Sequence, residues 1–144
     1  MDFKILSYDM AKRAVERCPG KLNVISIERD RPVDANLCKN HLQLKIDDID
    51  DHHIEKFDKA LKAKGIVYPE IKDIEAAIAF DKQCDGNIHI IHCHAGISRS
   101  PSIGYAILRS RGMTKEKSMK KILKLQPYAM PNERIVRMAD QLFG

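Results

Sequence analysis

Residues 92–100 read His92-Cys93-His94-Ala95-Gly96-Ile97-Ser98-Arg99-Ser100, and the types in this run suit the transfer of a phosphoryl group. A cysteine at the mouth of a helix faces unpaired backbone N–H groups and the positive end of the helix dipole, so it is expected to ionise and act as a nucleophile. The N–H groups of His94, Ala95, Gly96, Ile97 and Ser98 would form a nest for a tetrahedral dianion. Gly96 supplies the backbone freedom for the tight curl this needs. Arg99 offers a planar fork to two of the dianion's oxygens. Ser100 is placed to hydrogen-bond the thiolate as it departs in a second displacement. His92 suits orienting the loop and its cysteine better than carrying protons. Pro101 follows, and proline suits a helix's first turn, where its missing N–H costs nothing.

Such a loop needs a strand that ends at it and a helix that starts from it. Asn87–Cys93, after Asp85-Gly86, reads as a central strand, and Pro101–Arg111, closed by Gly112, as the helix. Two more strands are expected. Asn23–Ile27 is β-branched and follows Pro19-Gly20, while Leu42, Leu44 and Ile46 alternate with Gln43 and Lys45. Helical patterns cover His53–Lys64, highly charged and ending at Gly65, and a segment starting after Pro69 that places Ile71, Ile74 and Ile78 on one face. Two others run over Lys115–Gln126, with Thr114 as cap, and Asn132–Phe143, with Ile135, Met138, Ala139 and Leu142 on one face. Strands separated by helices predict an α/β fold: a single domain over residues 1–144, its central, mostly parallel β-sheet flanked by helices. Ligands of such sheets bind beyond the carboxyl ends of the strands, where Cys93 lies.

Composition agrees with one folded domain. Of 144 residues, 44% are apolar and 31% charged, which argues against a disordered or collagenous chain. The net charge of +5 favours anionic partners but falls well short of a nucleic-acid-binding signature, and no nucleic-acid partner is expected. The first residues lack the apolar core of a signal peptide, and no run is long and apolar enough to span a membrane. A soluble, cytoplasmic protein without membrane association is expected. Cys18, Cys38 and Cys84 are scattered, with no CxxC pair, and read as ordinary reduced thiols of core or surface. One of them could pair with an oxidised Cys93. Met113, Met119, Met130 and Met138 read as core filler, and the lysines from Lys115 to Lys124 as a solvated helix face.

Cys93 and Arg99, with five residues between them, His before and Ser after, resemble the protein tyrosine phosphatase superfamily signature His-Cys-x-x-Gly-x-x-Arg-Ser/Thr at every fixed position. The place of the motif late in the chain, and the absence of tryptophan, fit the dual-specificity-like branch, and the chain looks similar to small bacterial tyrosine phosphatase-like proteins. This resemblance implies a cysteine phosphatase-like fold with the phosphate loop between a central strand and a helix. It implies an enzyme that needs no cofactor or metal and forms a phosphocysteine on Cys93. The substrate would be a phosphorylated protein or peptide, phosphotyrosine foremost, and inorganic phosphate, sulfate or vanadate would occupy the loop. Phosphoserine or phosphothreonine, RNA 5′-phosphates and small phosphates stay open as alternatives. Phosphoinositides are disfavoured, because His94, Ala95, Ile97 and Ser98 bring no lysine. A catalytically silent phospho-ligand binding module is the rival from another class. Nothing in the sequence specifies an oligomeric state.

In the same family the proton donor to the leaving group is an Asp on a loop after an earlier strand. Leu44-Lys45-Ile46-Asp47-Asp48-Ile49 resembles the strand–x–Asp–Ile pattern of the bacterial group, which picks Asp48, with Asp47 as runner-up. Asp50 and Asp51 read as carboxylates of a solvated turn or helix N-terminus. A metal site built from this acidic run with His52 and His53 is the minor alternative. Pro131-Asn132 before the last helix is also similar to that group. Asn132 is expected to cap the helix and could in addition brace the phosphate loop.

Overall fold

The computed structural model describes residues 2–144. In chain order the elements are β1 (Lys4–Leu6), α1 (Tyr8–Arg17), β2 (Asn23–Ile27), a short 3-10 turn (Ala35–Leu37), β3 (Asn40–Leu44), α2 (Asp51–Ala63), α3 (Ile71–Gln83), β4 (Ile90–His92), α4 (Arg99–Ser110), α5 (Lys115–Leu125) and α6 (Glu133–Phe143). The four strands form one sheet in the order β1-β4-β2-β3, and every pairing is parallel. The expected α/β domain is therefore present, with a wholly rather than mostly parallel sheet.

Alternation along the strands divides the core in two. Val24 and Ile90 pack with Ala11 and Val15 of α1 on one face. Ile25, Ile27 and Ile91 turn to the other face, against α3, α4 and α6. Covering both faces explains why all five residues of β2 are buried. Helix α4 is the central helix of the second layer, with every residue from Ser100 to Arg109 buried. Burial fixes both the strand and the helix that meet at the Cys93 loop.

The ends of several elements differ from expectation, for local reasons. The ladder of β4 covers only Ile90–His92, because Asn87 and His89 are engaged by Asn23: its Nδ2 donates to Asn87 O, and its N–H to the His89 ring. β3 runs from Asn40 to Leu44 rather than to Ile46, since its partner β2 stops at Ile27. Ile46 remains buried, but its carbonyl is free for another donor. Helix α2 begins at Asp51, two residues before His53, because Asp50 caps it by accepting from His53 N. None of its residues is buried, and Asp51 ties it to Arg134 and Arg137 of α6.

β1 and α1 are not foreseen from the sequence. Phe3 and Ile5 are buried beside a solvent-facing Lys4, Ser7 caps α1 by accepting from Met10 N, and Ala11 and Val15 fill one face. A second departure concerns Met130. It is 75% exposed and not core filler, whereas Met138 is buried. No described helix is long and apolar enough to cross a membrane.

Candidate active site

β4 ends at His92, and the chain curls through Cys93–Ser98 into the first turn of α4, where Pro101 is the third helical residue. Gly96 takes φ +76° at the curl, and a Cβ there would lie 2.7 Å from the Leu6 carbonyl carbon and 2.9 Å from Ser7 N. Both the conformation and the space exclude a side chain. The β1–α1 corner thus presses on the loop, and Tyr8 N–H donates to His94 O at 2.9 Å.

Four more of the loop's carbonyls are taken by partners around it. Gln126 Nε2 donates to Gly96 O at 3.2 Å, Met130 N–H to Ile97 O at 2.8 Å and Ser102 Oγ to Ser98 O at 2.6 Å. His92 Nδ1 donates to Cys93 O at 3.0 Å. With these carbonyls engaged, the loop's N–H groups are left for a ligand in its bowl. The Cys93 thiol is buried at its floor, where Gly96 N–H donates to Sγ at 3.2 Å and Ser100 Oγ stands 3.2 Å from Sγ.

His92 is fully buried, and burial pushes its imidazole down to about 4 from 6.5. The ring is neutral near pH 7, so it orients the loop and does not bring a charge to it. Its depressed value also makes stability depend on pH. The unfolded chain takes up this proton near 6.5 and the folded one near 4. The stabilising contribution is therefore complete above about 6.5 and is lost as pH falls towards 4. Urea unfolding at pH 7 and pH 5 is expected to show a loss of about 2 kcal/mol from His92 alone. Unchanged or higher stability at pH 5 would contradict a buried neutral His92.

Arg99 heads α4 with its side chain 14% exposed. Its Nη1 donates to Ile46 O at 3.0 Å, the carbonyl released where β3 stops, and its Nη2 lies 3.5 Å from Glu28 Oε1. That carboxylate oxygen is buried and has no hydrogen bond. Glu28 therefore faces the guanidinium as a charge partner. Sequence reasoning missed it, although its place just beyond the carboxyl end of β2 was a usable signal.

The acidic run separates into four roles. Asp47 accepts from Arg29 Nη1 and from Val67 N–H, each at 2.7 Å, and so ties β3's exit to the α2–α3 connection. Asp50 caps α2 and Asp51 pairs with α6. Asp48 alone reaches the phosphate loop: its Oδ1 accepts from Ser98 Oγ at 2.7 Å and from Asn132 Nδ2 at 2.9 Å. Asn132 caps α6 through Ile135 N, and its Nδ2 also donates to Ile49 O. Its side chain thus braces the Asp48 segment, while its backbone N–H reaches Ser98 O and Ser102 Oγ beside the loop. Among the described residues, no three His, Cys, Asp or Glu side chains are grouped to hold a metal ion, so the acidic run with His52 and His53 does not assemble one.

No family model matches the chain, and no curated protein matches it in sequence. Solved structures do. A mouse protein described as a dual specificity phosphatase, complexed with zinc tungstate, is similar at a TM-score of 0.69 and 17% identity, over 95% of this chain and 79% of that one. Human DUSP28 is similar at a TM-score of 0.60 and 19% identity, over 96% of this chain and 89% of that one. PTPMT1 in complex with PI(5)P is similar at a TM-score of 0.61 and 18% identity, over 97% and 86%. Likeness of this extent at such low identity is a statement about architecture: the chain has the fold of the dual-specificity and tyrosine phosphatases.

Proposed function

We propose that the protein hydrolyses phosphate monoesters without a metal or other cofactor, by way of a phosphocysteine on Cys93. One observation carries this reading: a buried thiol that meets a loop N–H and a serine hydroxyl, with Arg99 at the same loop and Asp48 tied to its rim. In the first step Sγ attacks phosphorus as the thiolate, and the bond from phosphorus to the leaving oxygen breaks. Asp48 gives its proton to that oxygen. Arg99 and the N–H groups of residues 94–99 hold the other phosphate oxygens as charge builds on them. In the second step Asp48 takes a proton from water, the water oxygen attacks phosphorus and the S–P bond breaks. The Ser100 hydroxyl hydrogen-bonds the returning thiolate.

A phosphorylated protein or peptide is the substrate we infer, with phosphotyrosine foremost. Ile97, Met130 and Tyr128 expose apolar side chains on and beside the loop, Tyr128 at 80% exposure, and offer walls for an aromatic ring. The cavity of about 580 Å³ at the loop's rim has three carboxylates in its lining, Asp48, Asp50 and Glu133, against one histidine, His53, and no lysine or arginine. That lining disfavours polyanions such as phosphoinositides or RNA ends. A silent binding module is disfavoured because a cysteine, an arginine and an aspartate, the three residue types the chemistry needs, all stand at or beside the loop. A thiolate enzyme needs a reducing compartment, which fits the cytoplasm.

The test is turnover of p-nitrophenyl phosphate with and without EDTA, followed by a panel of phosphotyrosine, phosphoserine and phosphothreonine peptides, phosphoinositides and a 5′-phosphorylated RNA. Chelator-insensitive turnover with phosphotyrosine peptides at the head of the panel is expected. No turnover of any substrate would favour the binding module, and phosphoinositides at the head would overturn the substrate assignment.

A further inference from the structure

We propose that Ser26 and His41 are positioning residues for the Cys93 loop, the outer links of a hydrogen-bond chain that ends on the Cys93 carbonyl. The inference rests on Cys93 being the nucleophile. The chain runs His41 Nε2 to Ser26 Oγ at 2.8 Å, Ser26 Oγ to His92 Nε2 at 2.6 Å, and His92 Nδ1 to Cys93 O at 3.0 Å. Its direction follows from what each atom can do. A carbonyl oxygen only accepts, so Nδ1 of His92 carries the ring proton. In a buried neutral imidazole Nε2 is then a bare acceptor, and the Ser26 hydroxyl must donate to it. The Ser26 oxygen is left to accept, and it does so from His41 Nε2–H and, at 3.4 Å, from Val33 N–H. Each link thus fixes the next.

Parallel register makes the arrangement available. Ser26 of β2 sits opposite His92 of β4, and His41 lies on the neighbouring β3. Tyr8, the first residue of α1, covers the group with its ring centroid 6.0 Å from that of His92. Among the described residues, no other polar side chain reaches either nitrogen of the His92 ring.

The consequence for the loop comes from peptide planarity. The Cys93 carbonyl and the His94 N–H belong to one rigid unit and point in opposite directions. Holding the carbonyl on His92 keeps the His94 N–H available to the phosphate. If that unit turned over, a carbonyl oxygen would face the thiolate and the dianion in place of a donor. Without Ser26, the opposite tautomer becomes accessible, and its bare Nδ1 would repel the carbonyl.

The experiment uses the full chain with 15N-labelled histidine. Wild-type His92 is expected to show a protonated Nδ1 and an unprotonated Nε2. Ser26→Ala is expected to mix the tautomers, to weaken inhibition by inorganic phosphate about tenfold and to slow alkylation of Cys93 by iodoacetamide by a similar factor. His41→Leu should move the same readouts less far, and His41→Gln, which keeps an N–H at the same place, should restore them. Should Ser26→Ala fail to fold, the His41 pair still decides. An Nε2–H tautomer in the wild type would overturn the proposal, as would Ser26→Ala or His41→Leu behaving as wild type in all readouts. Neither the tautomer nor the alkylation requires turnover, so failure of the proposal is distinct from failure of the phosphatase reading.

Discussion

Replacing Cys93 by serine is expected to lower kcat by more than roughly 10⁴-fold while leaving the loop able to bind phosphate. The exchange removes only the sulfur. A serine hydroxyl is far less acidic than a thiol, stays protonated near neutrality and is a much weaker nucleophile than a thiolate. The dianion's binding groups stay, because the Gly96 curl is held by Leu6 and the loop carbonyls by Tyr8, Gln126, Met130 and Ser102. Steady-state turnover and calorimetric titration with inorganic phosphate read the two properties separately. Phosphate binding kept with turnover lost is the expected pair. Turnover near the wild-type rate would remove Cys93 from the chemistry.

The second large effect belongs to Asp48. Asp48→Ala should cost about 10²- to 10⁴-fold in kcat/KM for phenyl phosphate, whose phenoxide leaves poorly without a proton. The loss in kcat/KM should be much smaller for p-nitrophenyl phosphate, whose leaving group tolerates negative charge. Asp47→Ala should behave otherwise. It breaks the ties to Arg29 and the Val67 N–H, so it should lower stability with no dependence on the leaving group. A leaving-group-dependent loss in Asp47→Ala and none in Asp48→Ala would reverse the assignment.

The contrast between these two neighbours shows what a sequence can carry. The phosphate loop is legible because its parts are contiguous: nucleophile, glycine and arginine follow one another, and a buried strand and helix on either side set their geometry. The acidic run is less so. Four carboxylates in five positions look alike until their partners are known, and those partners lie far along the chain at Arg29, Ser98, Asn132, Arg134 and Arg137. Asn132 as a cap could be read locally, but its donation to Asp48 could not.

β1 escaped because three residues are too few to display a period, and α1 because a single pair, Ala11 and Val15, marks its buried face. Their contribution is hidden in turn: the sequence shows why Gly96 must be free to curl, but not that Leu6 leaves no room there for a Cβ. Met130, between Ala129 and Pro131, carries no sign of its exposure in the sequence. Ser26 and His41 carry no sequence signal at all, since only the strand register brings Ser26 to His92 and His41 to Ser26.

A covalent phosphocysteine on Cys93 is the central step of this chemistry and can be trapped directly. Mixing the wild-type enzyme with a 32P-labelled phosphotyrosine peptide, quenching in acid within the first turnover and digesting the product will locate the label. Phosphate on the peptide containing Cys93, absent from Cys93→Ser and accumulating in Asp48→Ala with a substrate whose leaving group needs no acid, is the predicted result. Turnover that proceeds with no protein-bound phosphate, or with the label on another residue, would contradict it.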